Sequence, residues 1–360
     1  MKTKLLTLLL FFFFLTGTWM ISPAQEGHQD SDVSGHNATD EIFDASTFIM
    51  EHIADSHEWH LWTRENGESV AIYLPVILYS KDKGIEVFSS KRLKHGQIYK
   101  GYKIEEEGDL KGVIVNVNEV GHTDEENLPL DFSITKTVVG LFFSCLIGLL
   151  LFLSLSRSYK KTGISHPRGI QSFLEPIILF VRDEIAISNI GKLKYEKYMP
   201  YLLTVFFFIL INNIMGLVPF PPPFGANVTG NIAVTMVLAI FTFIITQFNG
   251  NKNYWHHIFA TPGVPFWLLP IMIPVEIISL FSKPFALMIR LFANITAGHI
   301  IVLSLVSLIF ISRSIAVAPV SIFFVIFMDC LELLVAFLQA YVFTLLSALF
   351  ISLAVQEEHH

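Results

Sequence analysis

Cysteine is nearly absent from this 360-residue chain: there are two, Cys145 and Cys330, each inside an apolar run. Two such thiols build no disulfide framework, and their spacing fits no metal motif. Charge is scarce as well, at 15% of residues against about a quarter in soluble domains. The formal net charge is −7, and no Lys/Arg cluster is interleaved with aromatics, so the composition points away from nucleic acid. No G-x-x-x-x-G-K-[ST] run occurs, which removes the common phosphate-cradling loop.

Apolar side chains are abundant, at 52% of residues, with a mean hydropathy of +0.56. They are unevenly spread. Residues 25–130 are polar and acidic, whereas the chain from 132 onward is built of long apolar runs. A bilayer core requires runs of about 20 residues. The expected class is therefore an all-α polytopic membrane protein with a small outer domain.

Residues 1–24 read as a secretory signal, with basic Lys2 and Lys4, an apolar core from Leu5 to Leu15, and Ser22 and Ala24 near a cleavage point. Residues 25–130 then form an extracytoplasmic α+β domain. A helix is expected from Asp44 to Ala54, with Asp44 or Ser46 as its N-cap. Strands are expected at Val70–Leu78, Ile85–Ser89 and Gly112–Val117. Pro75 marks the first as an edge strand. His52, His57 and His60 lie close together beside Trp59 and Trp62, but their spacing matches no standard zinc site. Packing or solvated histidines are the expectation.

Residues 131–360 form the membrane domain. The first span runs from Ser133 to Leu155, and Arg157, Lys160, Lys161 and Arg168 follow it. Short basic loops stay in the cytoplasm, which places the polar domain outside. Along residues 171–188, Leu174, Ile177, Ile178, Val181 and Ile185 share a face that Glu175, Arg182 and Asp183 avoid. This is an amphipathic helix lying along the interface. Spans follow at Met199–Val218 and Asn231–Phe248, joined by an external loop with four prolines. In that loop Asn227-Val228-Thr229 fits a glycosylation acceptor, a tripeptide common by chance. The segments Pro265–Ile311 and Val317–Val355 are twice the length of a perpendicular crossing. Each is two spans or one tilted helix, and Pro270 and Pro274 are candidate kinks in the first. Periodicity alone leaves both choices open.

Those two segments carry Glu276, Lys283, Arg290, His299, Asp329 and Glu332. An ionisable group at the bilayer centre costs about 2.5–3.5 kcal/mol on insertion scales. Glu276, Lys283 and Arg290 recur every seventh residue, which returns each to within about 20° of one face. Asn294 adds a further turn to that stripe, and His299 falls on the opposite side. Asp329, Glu332 and Gln339 share a face of the second segment. Arginine stays protonated and so attracts a carboxylate without relaying a proton. Histidine and glutamate accept and release protons. The set reads as an electrostatic gate flanked by relay groups. The plainer readings are a structural Arg290–Glu332 pair, a snorkelling Lys283 and a packed neutral His299.

Ser282-Lys283-Pro284, then Arg290-Leu291-Phe292-Ala293-Asn294, then Ala297-Gly298-His299, resembles the signature of subunit a of F-type ATP synthases. The run from Glu332 to Phe343 resembles that family's last membrane helix, and the tail Glu357-Glu358-His359-His360 is similar too. The resemblance covers residues 130–360. It implies a proton-conducting stator subunit that lies in the bacterial inner membrane and offers two half-channels to a rotating c ring. It implies about five membrane helices, the last two long and strongly tilted. Implied partners are the c ring, the b-subunit peripheral stalk, other synthase subunits and the bilayer, with no cofactor, no metal, no nucleic acid and a cytoplasmic carboxyl terminus. Arg290 matches the arginine that meets the ring carboxylate, while Asn294 and Gln339 match a family asparagine and glutamine. Glu276 matches an acidic position on the path. The relay pair often appears in the family as Glu after Ala-Gly and His on the last helix. His299 and Glu332 exchange those types, as two groups interacting across helices can. Ala293 departs from the family's usual glycine, and the outer domain exceeds the family's usual short amino terminus. A self-contained transporter, or a scaffold with structural charge pairs, are the alternatives from other classes.

Overall fold

The computed structural model describes residues 45–63, 69–81, 83–105, 110–117, 123–124, 127–162, 169–218, 222–259, 265–312 and 317–356. The expected signal segment and the polar tail lie outside them.

The outer domain opens with α1 (Ala45–Ile53), within the range the sequence predicts; Asp44, one of its two expected caps, lies outside the described residues. An antiparallel pair, β1 (Glu58–Thr63) and β2 (Ser69–Tyr73), follows. A second sheet has β3 (Pro75–Ser80) between β4 (Gly84–Ser89) and β8 (Leu130–Asp131). The third contains β5 (Tyr102–Ile104), β6 (Ile114–Val117) and β7 (Thr123–Asp124), in that order. The run predicted as one strand from Val70 is thus two, in different sheets. Leu74 is the joint: its amide donates to the His57 carbonyl and its carbonyl accepts from the Ser90 amide. The edge-strand expectation for Pro75 fails, because β3 is a middle strand. Proline is tolerated there as the strand's first residue, where the sheet does not need its missing N–H. β1 was not predicted. The domain core gathers Val76, Leu78, Leu93, Tyr102 and Ile114.

Among the described residues no group of three or more His, Cys, Asp or Glu is placed to hold a metal ion. His52 Nδ1 donates to the Phe48 carbonyl at 2.9 Å. His57 Nε2 donates to Asp131 Oδ2 at 3.0 Å. Burial alone pushes the Asp131 carboxyl up. Hydrogen bonds from His57 and Ser133 outweigh that and hold it below its ordinary value of 3.8.

The domain is fastened to the first membrane helix, α2 (Lys136–Thr162), by polar contacts. The Thr137 amide donates to Asp55 Oδ1 at 3.1 Å, the Lys136 amide to the Ser56 carbonyl at 3.0 Å, and Lys136 Nζ to the His52 carbonyl at 3.2 Å. Asp55 therefore supplies, from another segment, an acceptor for the free amides of the α2 first turn.

Next comes the amphipathic segment: α3 (Ile170–Phe180), a π-helical stretch over Val181–Ile187, and α4 (Ser188–Ile190). Its apolar stripe is covered by protein. Leu174, Val181 and Ile185 are buried in the main core, while Asp183 and Glu184 are exposed and Arg182 is half-buried. The wider π turn also brings Ala186 inward beside Ile185. Three elements follow, α5 (Tyr195–Leu217), α6 (Ile232–Phe248) and α7 (Lys252–Phe259), the last bent from α6 by 103°. The chain ends in α8 (Leu269–Ser312) and α9 (Ala318–Val355). Among the described residues, four helices are long and apolar enough to cross a membrane, or five if α6 and α7 form one bent span.

The choice that periodicity left open is now made. α8 and α9 are single helices of 44 and 38 residues, and Pro274 and Pro284 sit inside α8 without breaking it. At 1.5 Å per residue they measure about 66 and 57 Å, roughly twice the hydrocarbon core of about 30 Å, so neither fits the core upright. Helices inside lipid gain little from apolar burial and rely on close packing. α9 meets this with small buried residues, Ala336, Ala340, Thr344 and Ala348, one turn apart against α5. Lys194 Nζ donates to the last helical carbonyl, that of Val355, at 2.9 Å. This puts a cation at the negative end of α9.

The loop before α6 is packed into the bundle. Val228 and Thr229 are buried, and Thr229 Oγ1 donates to Asn213 Oδ1 at 2.7 Å. The glycosylation reading of Asn227-Val228-Thr229 is thereby corrected, because its threonine hydroxyl is committed to the interior. Gly140 of α2 makes room for this loop: a Cβ there would lie 2.8 Å from Ala226 Cβ and 3.0 Å from Val228 Cγ2.

Two outcomes follow. Gly140→Ala overpacks this contact and should cost about 1–3 kcal/mol, seen as a lower thermal midpoint of the purified protein. Asp131→Asn should destabilise the outer domain at neutral pH by about 1 kcal/mol. A carboxyl held below 3.8 in the fold stabilises above that pH and loses its contribution as pH falls through the folded value. Thermal scans of the two proteins should therefore converge below pH 3.8; a gap that persists in acid argues that the carboxylate is not responsible.

Candidate functional site

The membrane charges sort to different sides of α8. Arg290 is exposed on the outer surface of the bundle, and among the described residues its side chain has no hydrogen bond or ion pair. Ala286, Ala293 and Ala297 are exposed on the same stripe, so the guanidinium rises from a strip of methyl groups. The structural Arg290–Glu332 pair is overturned, because among the described residues the Glu332 carboxylate stands against the His299 imidazole and not against Arg290. One turn after Arg290, Asn294 Nδ2 donates to Gln339 Oε1 of α9 at 2.9 Å. Gln339 is buried, at 3% exposure, so this bond ties the arginine's turn to the interior of α9.

His299 points inward. Its Nδ1 stands 3.8 Å from Glu332 Oε2, too long for a direct hydrogen bond. Gly298 permits the approach: a Cβ there would lie 2.5 Å from Glu332 Oε1 and 3.0 Å from Cδ. Gly216 of α5 backs the imidazole, where a Cβ would be 3.8 Å from His299 Nε2. A recess of about 250 Å³ is lined by Asn213, Leu217, Asn294, His299, Glu332 and Ala336. Asn213 reaches across it, donating from Nδ2 to the Ala336 carbonyl at 3.2 Å while accepting from Thr229. Glu332 Oε1 and Gln339 Nε2 are buried without a hydrogen-bond partner among the described residues. Buried polar atoms of this kind call for a partner, which water or a protonated group can supply.

A second cavity, of about 340 Å³, lies towards the other end of the bundle between α6, α7, α8 and α9. Thr246, Gln247, Tyr254, Lys283 and Phe350 line it. Lys283 Nζ sits 5.9 Å from the Phe350 ring centroid. Beside it, Tyr201 and Thr242 share a hydrogen bond of 2.6 Å.

The structure therefore brings together four of the residues picked from sequence: His299 with Glu332, and Asn294 with Gln339. Asp329 is half-buried one turn before Glu332. Glu276 is not part of the cluster; it precedes Arg290 by 14 positions on α8, about 21 Å of helix. Sequence reasoning missed Asn213, Gly216, Gly298 and Thr229. The Asn212-Asn213 pair inside an apolar span was a usable signal, since amides buried between membrane helices need partners. Gly298 was named only within the Ala297-Gly298-His299 motif, and nothing in the sequence indicated its close approach to Glu332.

Comparison with known proteins bears on the family of the chain. The family model described as ATP synthase A chain matches residues 138–352. A model described as a domain of unknown function, DUF8433, matches residues 48–132. ATP synthase subunit a of Chloroherpeton thalassium is 48% identical over 236 residues, 64% of this chain and 69% of its own length. ATP synthase subunit a 2 of Prosthecochloris aestuarii is 51% identical over 237 residues, 64% of this chain and 71% of its own. The Myxococcus xanthus subunit a is 50% identical over 237 residues, covering 64% and 76%. With the first family model spanning more than half of its length and relatives of this similarity, the chain belongs to the ATP synthase subunit a family, proton-translocating stator components of a bacterial plasma-membrane enzyme.

Proposed function

We propose that Arg290 is the fixed charge that discharges a carboxylate on a passing c-ring subunit, and that His299 and Glu332 relay protons to that carboxylate from outside. The observation that carries this reading is the exposure of Arg290 without a partner among the described residues. A charge at that depth costs kilocalories, so it calls for a counter-charge from elsewhere. The alanine strip around it suits a helix of another subunit, because small residues let backbones approach closely.

In this reading the outer domain and the loop before α6 face the periplasm, and the basic end of the bundle, with the carboxyl terminus of α9, faces the cytoplasm. The orientation rests on Arg157, Lys160, Lys192, Lys194 and Lys197 lying at one end. A proton enters at the recess beside Asn213, and one water spans the 3.8 Å between His299 and Glu332. Asn294 and Gln339 hold the turn that carries Arg290. Asp329 lines the path on its outer side. The cavity at Lys283 and Tyr254, with Glu276 beyond it, lines the way to the cytoplasm. Each charge that crosses gains about 2.3 kcal/mol per 100 mV. The peripheral stalk holds the chain still while the ring turns.

In membrane vesicles, Arg290→Ala should abolish ATP-driven proton pumping while the complex still assembles with its ring. Normal pumping in that variant sinks the discharge role. For the relay, His299→Ala, Glu332→Ala and Gly298→Ala should each slow passive proton flow, by about tenfold or more for the first two. Gly298→Ala acts by pushing Glu332 away from His299. If all three conduct as the unaltered protein does, the inward path lies elsewhere.

A further inference from the structure

The outer domain makes an apolar contact that its polar fastening does not require. Trp59, on β1, is 9% exposed and packs with Ala226 and Val228, which are 1% and 0% exposed, in a cluster joined by Val139 and Val234. Ala226 and Val228 belong to the loop between α5 and α6. The residue after Val228 is Thr229, whose hydroxyl holds Asn213 Oδ1 at 2.7 Å, and Asn213 lines the recess with His299 and Glu332. Ala226 acts on the same recess from a second side: its carbonyl lies 3.7 Å, and His299 Nε2 3.8 Å, from the Cβ position of Gly216. The Gly225 amide donates to the Met215 carbonyl at 3.0 Å, pinning the loop to the end of α5. One short loop thus connects the indole of the outer domain to two positions on α5, Asn213 in the lining of the recess and Gly216 beside His299.

We infer that the outer domain is a positioning element for the proton path, and that Trp59 acts as its wedge, pressing the 222–231 loop inward so that Thr229 fixes Asn213 and Ala226 backs Gly216 beside His299. The chemistry supports a wedge rather than a passive cover. An indole buries a large rigid surface with few rotamers, and close-packed contacts transmit displacement instead of absorbing it. The polar fastening at Asp55, Ser56 and Lys136 fixes the strand that carries Trp59 relative to α2. α1 packs on α8, so the domain is braced on a second helix. Trp59 touches no proton-carrying group and works through the loop. This inference rests on the relay assigned above to His299 and Glu332.

The test uses the whole synthase in vesicles, with passive proton flow measured after its soluble sector is stripped away. Trp59→Ala should lower flow about tenfold, the scale expected when a small misplacement reaches a reacting group, while copurification with the ring is unchanged. Trp59→Phe, which keeps a rigid ring in the contact, should restore most of it. Thr229→Val leaves the outer domain untouched and should lower flow similarly, by freeing Asn213. Should Trp59→Ala disturb assembly, Thr229→Val decides alone. Unchanged flow in Thr229→Val, or in an assembled Trp59→Ala complex, overturns the wedge. A loss in Trp59→Ala that phenylalanine fails to rescue overturns it as well. His299→Ala run in parallel separates the two ideas: if it slows flow while the loop variants do not, the relay stands and the wedge falls.

Discussion

An arginine left without a counter-charge among the described residues is the constraint around which this structure is arranged. Arg290 cannot shed its proton, and no acidic group of the described residues pairs with it. The chain holds it on α8, among alanines too short to shield it. Everything nearby limits its freedom. Leu287 and Leu291, on either side, are buried at 1% and 0% and fix the rotation of the helix. The Asn294–Gln339 bond fixes the same turn against α9. A rigid platform of this kind sets the height and direction of a single charge.

The platform has an inner side of opposite character. His299 follows Arg290 by nine residues, a half-rotation of the helix and a rise of about 13.5 Å. The exposed cation and the inward imidazole are therefore on different walls of one helix. Gly298 keeps the inner wall open where a Cβ would crowd Glu332, and Gly216 backs His299 at ordinary contact distance. Small residues thus serve twice, as approach space outside and as working space inside.

Much of this was legible before any coordinates. Run length marked two overlong apolar segments, which only the family resemblance read as single helices; the stripe of charges followed from a seven-residue period, and the opposed placement of His299 from simple rotation. These features depend on local geometry, which repeats along a helix. What escaped depends on contacts between distant segments. Asn213 meets Thr229 and Ala336 from different elements, and no periodicity in α5 indicates that. Residues 75–80 were misplaced for the same reason: Pro75 argued locally for an edge, but the position of β3 was set by β8, more than 50 residues later. Trp59 looked like part of a histidine–tryptophan cluster, whereas its packing partners lie on the loop before α6.

The outer domain gains a physical rationale from these contacts. A polar domain tethered only by chain continuity leaves the membrane helices indifferent to it. Here the start of α2 takes its acceptor from Asp55, and β8 runs almost directly into that helix, so domain and span share one end. The apolar wedge then needs a rigid backstop, and Gly140 lets α2 pack closely on Ala226 and Val228 as well. The loop is gripped between an indole and a helix surface. It meets α5 as well, through the Gly225–Met215 and Thr229–Asn213 hydrogen bonds. If the relay runs through His299 and Glu332, the geometry of its outer wall is set by a part of the chain that carries none of its chemistry.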